Sequence, residues 1–113
     1  MAIGFGPSMA DADVISFEYF AAGGQAAYDR FSPEWDTPEM DATQSVTLTS
    51  FTSANNVNTF TITRALNTGD SMDKVISTGV WMDMTICWLY ANEFEDHGRN
   101  FAYFQMYIDP TTG

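Results

Sequence analysis

Ser45-Val-Thr-Leu-Thr-Ser-Phe51-Thr-Ser-Ala-Asn55-Asn56-Val57-Asn-Thr-Phe60-Thr-Ile62-Thr-Arg64 decides the fold class. Thr59, Thr61 and Thr63 alternate with Phe60 and Ile62, the period of a half-buried antiparallel strand rather than a helix. Ser45 to Phe51 reads as the partner strand. Thr-Ser-Ala-Asn-Asn between them reads as a hairpin connection, because asparagine tolerates the backbone that tight turns need.

The same signal recurs on both sides of this hairpin. Met1 to Phe5 looks like the end of a strand, broken at Gly6-Pro7. Asp13 to Tyr19 follows, with Ile15, Phe17 and Tyr19 on one face. Gly23-Gly24 marks a turn, and Gln25 to Phe31 is a further strand. Ser32 to Thr43, with Pro33, Pro38 and several acids, reads as loop, and Asn67 to Lys74 as a polar connection. Val80 to Ala91 is the strongest strand, with Met82, Met84, Ile86 and Trp88 on one face and Trp81, Thr85 and Cys87 on the other. Phe101 to Ile108 is the last. About seven strands with regular turns predict an all-β, antiparallel, immunoglobulin-like sandwich over residues 1–109, with 110–113 as the start of a linker. The chain opens inside a strand, so the first strand or strands of the sandwich are expected to be missing from it.

Composition narrows the function. With 113 residues, 45% of them apolar, the chain forms one domain with a real core. Four basic residues against 15 acidic ones give a net charge of −11, which repels phosphate backbones and argues against nucleic-acid binding. No apolar stretch is long enough to span a bilayer, and the start lacks the basic n-region of a signal peptide. The single cysteine, Cys87, excludes an internal disulfide, a cysteine-based zinc site and c-type haem attachment. No N-x-S/T sequon occurs. No nucleophile elbow accompanies the one histidine, and no carboxylate pair stands out for glycoside hydrolysis, so a hydrolase is not expected.

That histidine, His97, restricts metal chemistry to one imidazole and a different second ligand. Seven methionines are available. Met9 lies in Ile3-Gly-Phe-Gly-Pro-Ser-Met9, a segment without the spacing, helix or lysine of a phosphate loop. Its glycines suit a sharp exit from the first strand, and Met9 taken alone reads as a gap-filling core residue. Asp11, Asp13, Asp70 and Asp73 carry oxygens of the kind hard cations take, but no EF-hand pattern is present. Turn capping and backbone bonding account for them better.

Three segments together resemble the DOMON domain family. They are Met1-Ala-Ile-Gly-Phe-Gly-Pro-Ser-Met-Ala-Asp-Ala-Asp-Val-Ile15, Thr63-Arg-Ala-Leu-Asn-Thr-Gly-Asp70 continuing to Asp73, and Trp88-Leu-Tyr-Ala91 followed by His97-Gly-Arg99. Their order and rough spacing agree over most of the chain. The resemblance implies a β-sandwich on the extracellular or extracytoplasmic side of a membrane. One branch of the family, similar to the cytochrome domain of cellobiose dehydrogenase and to DOMON proteins joined to cytochrome b561, binds non-covalent haem b. Its iron is held by a methionine and a histidine at the positions of Met9 and His97. The implied activity is single-electron transfer by a module that is not itself an enzyme. The implied partner is a cytochrome b561-like protein or a flavin dehydrogenase, attached or separate. Trp81, Met84, Trp88, Phe101 and Tyr103 are candidates to line the haem, or else ordinary core. Arg99 is a candidate partner for a haem propionate, or for Glu95 or Asp96. The alternative is a haem-free DOMON module for sugar binding, adhesion or assembly.

Overall fold

The structure, a computed structural model, describes residues 1–20, 22–89 and 98–111. Eight strands follow one another: β1 Ala2–Phe5, β2 Ala12–Tyr19, β3 Gln25–Ser32, β4 Glu39–Met40, β5 Val46–Ala54, β6 Val57–Arg64, β7 Trp81–Cys87 and β8 Phe101–Tyr107. All pairings are antiparallel. β4-β3-β2-β1-β7-β8 form one sheet, and β5 and β6 form a second, two-stranded sheet. Among the described residues there is no helix, so the fold is an all-β antiparallel sandwich, as expected.

The deciding hairpin is tighter than its sequence suggests. β5 runs on to Ala54, which leaves only Asn55 and Asn56 as the turn, at φ 53° and 61°. Two consecutive left-handed residues make the turn whose twist matches the flanking strands. A bulge between Leu48 and Ser50 absorbs one extra residue, and the Thr49 hydroxyl donates to the Thr61 carbonyl at 3.0 Å.

The strong alternation along β1 and β2 gives the large sheet two unlike faces. Ile3, Phe5, Ile15 and Phe17 point one way, together with Met82 and Met84 of β7 and Met106 of β8. The hairpin covers this face with Val46, Phe60 and Ile62, while Ile76 plugs it from the long connection before β7. Phe60 bridges Phe17 (ring centroids 5.5 Å apart) and Phe51 (4.9 Å), which seats the hairpin on β2. Burying Phe5, Ile15 and Phe17 contributes about 1.5–3 kcal/mol each.

Two boundaries and the burial of one strand differ from the sequence reading. β4 lies inside the stretch expected to be loop; it pairs Met40 with Arg30 and Glu39 with Phe31, too short to leave a periodic signal. β7 ends at Cys87, not Ala91; the Trp88 amide still donates to Asn100 at 3.0 Å, and Tyr90 and Ala91 lie outside the described residues. Apolar residues on both faces of that strand suit a strand covered on both sides, yet Trp81 is 67% exposed. β7 has only the edge strand β8 beyond it, so this face of Trp81 meets little besides the Tyr107 ring.

Candidate functional site

The second face of the large sheet is built from small side chains. β1 alternates Ala2 and Gly4 with Ile3 and Phe5, so every large residue that enters the core sets a small one on the opposite face. The register extends this shelf sideways: Ala2 lies between Ser16 and Cys87, and Gly4 between Val14 and Thr85. Gly4 has no room for a side chain, because a Cβ there would run into the Thr85 hydroxyl. A cavity of about 330 Å3 opens above the shelf, within the range of small-molecule and cofactor sites.

Three walls rise from that floor. The β1–β2 connection leaves β1 through Gly6 at φ 142° and brings Met9 to the cavity. The stretch after β3 contributes Trp35, Asp36, Thr37 and Pro38. The third wall holds Gly98 with Phe101 and Tyr103 of β8. Phe101 and Tyr103 pair edge to face at 5.5 Å, and their positions opposite Cys87 and Thr85 place them above the shelf.

A polar cluster occupies the core side of the same sheet. Asp13 and Asp29 are fully buried. Arg64, at the end of β6, donates from Nη2 to Asp13 Oδ2 at 2.6 Å, and the same nitrogen stands 3.5 Å from Asp73 Oδ2. The Lys74 amide donates to Asp13 Oδ2 at 2.7 Å, and the Ser45 amide to Asp29 Oδ2 at 3.0 Å. Gln44 accepts from the Asp29 amide and donates back to the Asp29 carbonyl, both at 2.9 Å. These bonds tie the ends of the hairpin and the long connection to β2 and β3. Burial pushes the Asp13 carboxyl up to about 6 and raises that of Asp29 in the same direction.

Residues 1–91, which hold β1 to β7 and this Asp13–Arg64–Asp73 cluster, match the family model of the DOMON domain. The chain belongs to the DOMON family. DOMON domains are binding or electron-transfer modules, not catalysts in themselves, and generally stand on the extracytoplasmic side. No curated protein matches the chain.

The DOMON fold brings together some of the residues singled out in the sequence and separates others. Met9, Phe101 and Tyr103 line the same cavity. Gly98 lines it as well, and Arg99 beside it is exposed. His97 lies outside the described residues. Met84, 2% exposed, sits in the core on the far side of the sheet, since even-numbered β7 positions face the hairpin. Trp81 shares the parity of Thr85 but lies further along β7, where its ring packs on Tyr107 at 5.3 Å. Trp88 follows the end of β7 and is not among the cavity residues. Sequence reading missed Trp35, 69% exposed at the rim, because a lone tryptophan in a Pro- and Asp-rich stretch has no period to mark it. The alternation Ala2-Ile3-Gly4-Phe5 was a legible sign of the shelf.

Cys87 stands in the cavity wall. Burial pushes its thiol up, so it stays protonated at neutral pH and does not offer a thiolate to a metal.

Proposed function

We propose that this DOMON domain holds haem b non-covalently in the cavity, with Met9 and His97 as axial ligands, and passes single electrons within a larger extracytoplasmic redox protein. One observation carries the reading: Met9 and Gly98, the immediate neighbour of His97 in sequence, wall the same cavity over a floor of small residues. A planar apolar macrocycle needs such a floor, and the Gly4 and Ala2 positions keep it clear. Thioether and imidazole are both established haem ligands, and the pair gives a higher potential than two histidines. Phe101 and Tyr103 contribute apolar ring surface at the edge, and Arg99, exposed next to Gly98, is the proposed partner for a propionate. The redox partner is a cytochrome b561-like or flavin dehydrogenase protein or domain, and the charge of −11 favours a basic docking surface on it.

An optical spectrum of the natively purified protein tests this. The expected result is a low-spin b-type spectrum on dithionite reduction, perturbed by Met9→Leu and by His97→Ala. Protein purified with full yield and no iron overturns it.

A second reading is a haem-free DOMON module that binds a sugar or assembles with other proteins. The exposed Trp35 and Tyr103 rings beside Asp36 support it, since such a rim suits stacking and hydrogen bonding to a glycan. Glycan-array binding by iron-free protein, lost in Trp35→Ala, is the result that favours it.

A further inference from the structure

We propose that Asp13, Asp29 and Asp73 form a binding site for a hard divalent cation, with Ca2+ the ion whose coordination they fit, and that Asp41 and Asp70 extend it. The site lies on the core side of the large sheet, separate from the cavity, and does not rest on the haem reading. One carboxylate oxygen from each of Asp13, Asp29 and Asp73 lies within 4.8 Å of the other two, and Asp41, Asp70 and Asp73 form a second such triad. Two oxygens on one Ca2+ stand at most about 5 Å apart, twice a bond of roughly 2.3–2.6 Å. Asp73 belongs to both triads, so the five carboxylates are contiguous.

Unanswered polar atoms point to a ligand. Asp13 Oδ2 and Asp29 Oδ2 are bonded to protein, yet Asp13 Oδ1 and Asp29 Oδ1 are buried and accept no hydrogen bond. Asp73 Oδ2 and Asp41 Oδ2 are in the same state. A buried carboxylate oxygen without a partner costs on the order of 1–3 kcal/mol, more when charged. Arg64 answers them only in part: its Nη2 stands 3.5 Å from Asp73 Oδ2 without a hydrogen bond, its Nε and Nη1 donate to none of these oxygens, and its guanidinium lies over Phe5 at 5.2 Å. The Lys74 ammonium is turned outward to Asp11 at 2.5 Å. Three carboxylates against one guanidinium leave the inner group two positive charges short of neutral, the charge a divalent ion supplies.

The donor set selects the ion. It is all oxygen, with the one cysteine on the opposite face, so soft and borderline metals have no preferred ligand here. Donors from β2, β3 and two connections form an irregular cage, which suits the flexible six- to eight-fold coordination of Ca2+ better than the strict octahedron of Mg2+. A bound ion fastens the long connection and the hairpin ends to the sheet.

The test titrates the full chain, stripped with a chelator, with CaCl2 and in parallel with MgCl2 by calorimetry, alongside thermal melts. Expected are saturable binding of one Ca2+ per chain at about millimolar or tighter, weaker Mg2+ binding, and a higher melting midpoint in Ca2+. Asp29→Asn should weaken Ca2+ binding about tenfold or more by removing ligand charge. Asp70→Asn, on a surface connection, should weaken it too and serves if the first variant fails to fold. Glu34→Gln, an exposed acid, should leave it unchanged. No saturable Ca2+ binding by the wild type overturns the site. Equal weakening by Glu34→Gln, or Mg2+ binding as tight as Ca2+, overturns the assignment as well.

Discussion

Asp13 shows what burial does to a single residue. Its carboxyl lies under the hairpin with no exposed surface, and desolvation outweighs both the Arg64 charge and the Lys74 amide, so it titrates at about 6 instead of 3.8. A folded-state pKa above the unfolded value means that the native chain holds the extra proton between these two values. The group's contribution to stability is therefore fully present below about 3.8 and is lost as pH rises through about 6. In chelator-treated protein, the drop in melting midpoint between pH 5 and pH 7.5 should be smaller in Asp13→Asn than in the wild type. Equal drops in the two proteins would remove Asp13 as their source. The alternation of its neighbours announced Asp13 as a strand residue, but not that this carboxylate faces the core. Acids at a strand start are ordinarily turn caps, and only the hairpin laid across β2 buries this one.

At the scale of the element, the β5–β6 hairpin was the most legible part of the chain. Its threonine alternation reports a sheet with one wet face, and the asparagine pair reports the turn. The exact loop was less legible, because Thr52, Ser53 and Ala54 suit a turn or a strand equally and the two-residue geometry is decided by how the strands pair. Asn56 sits at φ 61°, where a β-branched side chain clashes with its own backbone. Asn56→Ile should cost about 1–2 kcal/mol in urea unfolding with no change in the cavity. A cost near zero would mean that the turn relaxes to another type. β4 lies at the other extreme: two residues paired to β3 carry no pattern, and they exist because Arg30 and Phe31 offer a free edge.

At the scale of the molecule, one sheet separates two sites. Its hairpin-covered face holds the Asp13–Asp29–Asp73 cluster, and its small-residue face holds the cavity with Met9. The two sites lie on opposite faces of the sheet, so substitutions in them should act independently. The unfolding free energies of Met9→Leu and Asp29→Asn should add in the double variant within about 0.5 kcal/mol. A larger coupling would show that the two faces communicate through β1 and β2.

Sequence alone determined the all-β class, the hairpin and the family, because alternation, turn chemistry and local motifs are properties of neighbours along the chain; from the family it also nominated Met9 and His97 for the proposed haem site. It could not decide which of the aromatic and methionine residues surround the cavity. Trp81, Met84, Phe101 and Tyr103 have similar side chains and similar strand settings, and differ only in face and height on the sheet. Tertiary structure decided that, by placing the hairpin on one face and leaving the other to small residues. It also drew together carboxylates from Asp13 to Asp73, because antiparallel pairing and a covering hairpin bring distant chain segments under one roof, where desolvation and orphaned oxygens give them a chemistry that none has in the sequence.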